Sequence, residues 1–140
     1  MGARTSGREA AVQMLFGIEA AGSDADEAIA RYWREMAGDA EGRPYADACV
    51  RGVLAMRGEL DAIITRASQH WRLERMARVD RNVLRLGTWE LKCELTTPRA
   101  VILDEAVELA KRFGSDESPA FVNGVLDKIA DDVGRPNEPR

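Results

Sequence analysis

Apolar residues return every third or fourth position through almost the whole chain, and this rhythm constrains the fold most. Ile29, Tyr32, Trp33 and Met36 follow i, i+3, i+4, i+7. Tyr45, Cys49, Gly52, Met56, Leu60, Ile63 and Ala67 continue in the same period, which predicts one long helix over about 45–68. No stretch shows the period-two alternation of a half-buried strand. The pattern predicts an all-α protein of six to seven helices.

Punctuation marks the ends. Ser6 and Glu9 spell a capping box ahead of a first helix, Ala10–Ala21, and Gly22 closes it. Asp24 and Glu27 repeat the signal before a second helix at about 25–37. Gly38–Arg43 reads as a polar loop and the internal linker, and Pro44 suits the first turn of the long third helix. Gln69–Arg78 reads as a short helical turn. Asp80 is placed to cap a helix striped by Leu84, Gly87, Leu91 and Leu95 and stopped by Pro98. Ile102, Ala106, Leu109, Ala110 and Phe113 mark the next helix, closed by Gly114.

Ser118 then caps, with Pro119 in the first turn, a helix striped by Val122, Val125, Leu126, Ile129 and Val133. Asn123-Gly124 would suit a hairpin turn, but the helical stripe runs through it. Gly124 costs ~1 kcal/mol relative to Ala in a helix, which implies close approach of a second helix there. The tail Arg135–Arg140 is expected to fray. The expected core comprises Leu15, Trp33, Met56, Leu84, Leu91, Leu109, Phe113, Val122 and Leu126.

Catalytic chemistry finds little support. His70 is the single histidine and reads as a structural or surface residue, and no phosphate-binding, nucleophile-elbow or metal-helix motif occurs. Neither Cys49 nor Cys93 lies in a CxxC, so both read as reduced, buried thiols of a cytoplasmic protein. No metal or cofactor is implied. The longest aliphatic run, Ala100–Leu103, is far below the ~20 residues of a membrane span. Adjacent acid pairs such as Asp104-Glu105 diverge by ~100° on a helix, so they do not converge on a substrate.

Charge is more informative. The 140 residues carry a net charge of −4, which excludes a generic polycationic nucleic-acid coat. Yet 17 of the 20 basic residues are Arg, and six of them lie between Arg66 and Arg85 against two acids. From Asp104 to Asp132, eight acids face three bases. Arg pairs with phosphate and stacks on unpaired bases. The bland alternative is that these arginines bridge to the acidic C-terminal helices.

Three segments carry a resemblance: REAAVQMLF (8–16), VDRNVLRLGTWEL (79–91) and ILDEAVELAKRFGSDESPAFVNGVLDK (102–128). In order and spacing they resemble the NusB family of transcription antitermination factors. The resemblance spans nearly the whole chain and implies one domain, 1–140, of two small packed helical halves without catalytic activity. It implies binding of boxA RNA together with the ribosomal protein NusE. It also implies entry into the RNA polymerase antitermination complex during rRNA transcription.

Residue by residue, Arg4 and Arg8 match the family's arginine-rich N-terminal segment, although no adjacent arginines occur here. Phe121, beside Asn123 and Gly124, matches the region near the RNA, and Arg81 and Arg85 are expected to face phosphate. Phe16, Asp80 and Glu117 match partner-contacting positions. The same face is open to a homodimer. Two rival readings are the NusB-like domain of an RNA cytosine methyltransferase, whose long cofactor-binding domain is not expected here, and a helical interaction module without RNA binding.

Overall fold

In a computed structural model, residues 2–69 and 71–137 are described; the expectation for His70 lies outside them. Among the described residues there are seven α-helices, two short 3-10 turns and no strand. They form two compact units, one ending at Ala55 and one beginning at Met56.

The first unit holds α1 (Ala3–Ala21), α2 (Ala25–Glu35), a 3-10 turn (Ala40–Gly42) and α3 (Arg43–Ala55). α1 starts seven residues earlier than the capping signal predicts. Ser6 lies inside the helix, and its hydroxyl donates to Asp39 Oδ2 at 3.1 Å. Asp39 Oδ1 in turn accepts from Glu41 N at 3.0 Å. This tertiary anchor, absent from local sequence, holds the polar first turns helical. Two glycines let the segments close: a Cβ on Gly42 would stand 2.7 Å from Gly7 N. Gly22 ends α1 in the left-handed conformation at φ 70°. Asp24 caps α2 as expected, accepting from Glu27 N at 2.8 Å.

The helix expected over 45–68 is broken at Met56, so the division falls there and not in the 38–43 loop. The apolar period keeps its phase across the break, which hides it from a periodicity reading.

The second unit holds α4 (Arg57–Ala67), a 3-10 turn (Leu73–Arg75), α5 (Arg78–Cys93), α6 (Arg99–Phe113) and α7 (Ser118–Asp132). α5 packs against α4, α6 and α7, and every residue from Asn82 to Leu91 is buried. Burying Leu84, Leu86 and Leu91 contributes ~1.5–3 kcal/mol each. The close helix approach is at Gly87, where a Cβ would meet Leu126 Cδ1 at 2.8 Å. Gly124 is exposed and meets nothing, contrary to expectation.

Other boundaries shift by a residue or a turn. Ala77 occupies the cap position of α5, leaving Asp80 in its first turn. α5 ends at Cys93, so Leu95 is 69% exposed, and Pro98 opens α6 instead of stopping α5. Glu117 precedes α7, while Ser118 Oγ accepts from Ser115 N at 3.0 Å. Of the expected core, Trp33, Met56 and Phe113 are only half-buried; of the two thiols expected to be buried, Cys49 is and Cys93 is exposed.

The tail is fastened where fraying is expected. Arg135 is buried and donates through Nη1 to Leu91 O at 2.8 Å and through Nη2 to Thr97 O. Its own carbonyl accepts from Arg99 Nη1 at 3.0 Å. Arg99 also grips Asp127 and Asp131, each at 2.8 Å, and those carboxylates raise its pKa above the ordinary guanidinium value. The expectations for residues 138–140 lie outside the described residues.

These glycines make opposite predictions. Gly42→Ala pushes a methyl into backbone and should cost ~1–3 kcal/mol. Gly124→Ala, with open space around it, should gain up to ~1 kcal/mol. Urea midpoints of the two variants check both signs.

Candidate functional site

In the first unit the N-terminus of α1 carries no side-chain cap and no acid in its first turn. Its amides and positive dipole end favour an anion. Arg4 is exposed there, with its guanidinium 4.8 Å from the centre of the Tyr45 ring. Arg8 stands over the same ring at 5.5 Å but is only 2% exposed. Tyr45 thus braces both cations, and only Arg4 presents its fork to solvent. Phe16 is half-buried in a groove of about 340 Å³ shared with Met14, Tyr32 and Met36.

In the second unit Asp80, Glu117 and Phe121 meet around one cleft. Its volume is about 360 Å³, and Trp71, Arg75 and Met76 also line it. Asp80 comes from the first turn of α5, Glu117 from the turn before α7, and Phe121 from the first turns of α7. Asp80 Oδ1 is shielded from solvent and accepts no hydrogen bond among the described residues. Such an oxygen costs ~1–3 kcal/mol or more until a donor reaches it. Glu117 is exposed beside it. The cleft therefore favours a cationic donor.

Sequence reasoning missed Trp71. It is 59% exposed, and its indole meets the Phe121 ring edge-on at 5.8 Å. The available signal was a tryptophan in a segment without an apolar stripe, where no core position was assigned to it.

The arginines expected to face phosphate separate. Arg85 is 5% exposed, and its fork is taken by Asp61, with Nε to Oδ1 at 2.7 Å and Nη2 to Oδ2 at 3.1 Å. Its Nη1 also donates to Asn82 Oδ1 at 3.2 Å. That geometry corrects the expectation for Arg85: the bidentate site a phosphate needs is filled from within. Asp61 lies on α4, outside the acidic C-terminal helices. Arg81 is half-buried and donates to Met76 O; burial and then the Arg85 charge lower its pKa. Asn123 is exposed on α7.

Among the described residues no group of three or more His, Cys, Asp or Glu is arranged to hold a metal ion. No helix among the described residues is long and apolar enough to cross a membrane.

The profile of the NusB family matches residues 5–131. The chain belongs to the NusB family. A NusB transcription antitermination protein of Sorangium cellulosum (strain So ce56) is 64% identical over 140 residues, covering all of both chains. The NusB of Myxococcus xanthus (strain DK1622) is 46% identical over 97% of this chain and 100% of its own.

NusB from T. maritima superposes with a TM-score of 0.83 at 36% identity, covering 94% of this chain and 92% of that one. A chain in a crystal structure of the antitermination factors NusB and NusE in complex with dsRNA also scores 0.83. It is 26% identical, over 94% of this chain and 98% of that one. The function of this NusB-family chain is transcription antitermination, and it is not an enzyme. Both relatives, covered over their whole length, are transcription antitermination proteins.

Because Arg85 is turned inward, Arg85→Ala should act on stability. The loss should be ~3 kcal/mol, the low end for one partner of a buried pair, since the Asp61 side chain keeps 25% of its exposure. Thermal melts should show this, while RNA affinity of the folded variant stays unchanged.

Proposed function

We propose that this chain binds boxA-type RNA jointly with NusE, and that the assembly joins RNA polymerase in the cytoplasm during rRNA transcription. The observation that carries the reading is the acidic cleft, with an oxygen of Asp80 buried and lacking a donor among the described residues. A basic ribosomal protein supplies the missing cation there. Glu117 lies on the same rim, and Phe16 offers an apolar contact from the first unit. The related chain solved with NusE and dsRNA supports the same pairing of partners.

RNA is held differently. Arg4 and the uncapped start of α1 take phosphate, with Arg8 bracing Tyr45 beneath. Arg81 and Asn123 contribute from the second unit, and Phe121 offers an aromatic contact. Phosphate contacts position the strand without reading it, and specificity comes from unpaired bases. At net charge −4 the chain binds RNA weakly alone and more tightly once the basic partner has joined.

The test is a salt titration of labelled boxA-type RNA, with and without NusE. Arg4→Ala should weaken matched and scrambled RNA alike and flatten the log K against log salt slope by up to ~0.7. Unchanged affinity and slope would remove Arg4 from the RNA site. Asp80→Asn should weaken NusE binding by at least ~10-fold, as expected for a desolvated charge contact, and leave RNA binding without NusE intact. A second copy on the same face would instead make NusE affinity fall as chain concentration rises.

A further inference from the structure

We propose that Trp71 is a base-stacking residue: its indole, together with Phe121, walls a groove that holds one unpaired base of the bound RNA. The inference rests on the RNA-binding reading above and names a contact within it.

The Trp71–Phe121 pair is a ridge with a different electrostatic character on each side. One side is the acidic cleft of Asp80 and Glu117. The other is an open groove of about 380 Å³ between the end of α4 and α7, lined by Gln69, Trp71, Phe121, Gly124 and Lys128 among others. Among the described residues no carboxylate lines this second groove. On the same helix Asp127 and Asp131, the latter one turn beyond Lys128, are both held by Arg99, each at 2.8 Å.

The first side sets two carboxylates, Asp80 and Glu117, against the single Arg75 and so disfavours phosphate; Lys128 gives the second side the opposite charge. An aromatic face beside a lysine is the combination that single-stranded nucleic acid uses, the base stacking and the phosphate pairing. Gly124 borders the groove with open space around it, since a Cβ there would have no neighbour within 4 Å. Gln69, exposed in the turn after α4, supplies donors and an acceptor for a base edge. At 59% exposure, Trp71 retains a large apolar surface that a base would cover.

The experiment uses the full chain with labelled boxA-type RNA in which each unpaired position is made abasic in turn. Trp71→Ala should lower affinity by ~5- to 150-fold, the range for loss of one stacked base. At one position the abasic RNA should bind the wild-type chain as weakly as it binds Trp71→Ala, with no further loss in the combination. Gly124→Leu, which fills the groove from an exposed helix position, should reproduce the loss with Trp71 intact.

Tryptophan fluorescence gives a second readout. Trp89 is buried and Trp33 half-buried, so RNA should quench mainly Trp71. Trp71→Phe should abolish that quenching while keeping part of the affinity.

Equal binding of every RNA by wild type and Trp71→Ala overturns the proposal, and a salt-slope change in Arg4→Ala in the same assay leaves the RNA-binding reading standing. If Trp71→Ala weakens NusE binding without RNA and spares RNA binding alone, the groove holds protein and the proposal fails. If the wild-type chain binds no RNA with or without NusE, both fall.

Discussion

The second unit depends on burying α5. A helix enclosed over ten consecutive residues, Asn82–Leu91, takes polar side chains inside with it, and each costs free energy unless a partner reaches it; the Thr88 hydroxyl finds none among the described residues. Arg85 is the most demanding of these, and the Asp61 carboxylate meets it in a bidentate pair while Asn82 takes a further donor. The apolar residues between them supply the driving force, and Gly87 lets Leu126 of α7 approach the backbone. At the far end, Arg135 closes the α5 carbonyl at Leu91 and ties the tail to the α5–α6 connection. Arg99 carries the same network on to α7.

That packing also makes the site. Fixing α5 against α7 brings Asp80, Glu117 and Phe121 to one cleft, though 37 positions separate the two acids in the chain. The packed helices hold a carboxylate oxygen of Asp80 that has no donor among the described residues, at a cost in free energy. In the first unit the Gly7–Gly42 contact and the Ser6–Asp39 bond play the corresponding part. They set the start of α1, and with it Arg4 over Tyr45.

Arginine serves two purposes that composition does not separate. Arg85, Arg99 and Arg135 are interior connectors, each with its fork filled by carboxylate or carbonyl oxygens. Arg4 is exposed, and Arg75 and Arg81 border the cleft or its helix. A guanidinium offers several donors in a fixed plane, so it suits a buried carbonyl as well as a phosphate. The net charge of −4 and the basic run from Arg66 to Arg85 are therefore compatible with either use.

The sequence by itself determined the helical class, most of the helices, the ends at Gly22 and Gly114, and the Asp24 cap. These are local matters, set within a turn or two by apolar period and backbone preference. The family was legible too, in three segments whose order spans the chain. Asp80, Glu117 and Phe121 were named from sequence, but not their convergence, nor Trp71 beside them. Only the tertiary structure decided the break at Met56, the early start of α1, and which arginines turn inward. The reason is physical: Arg85 finds Asp61 across 24 positions and Ser6 finds Asp39 across 33, and no local period carries information about a partner that distant.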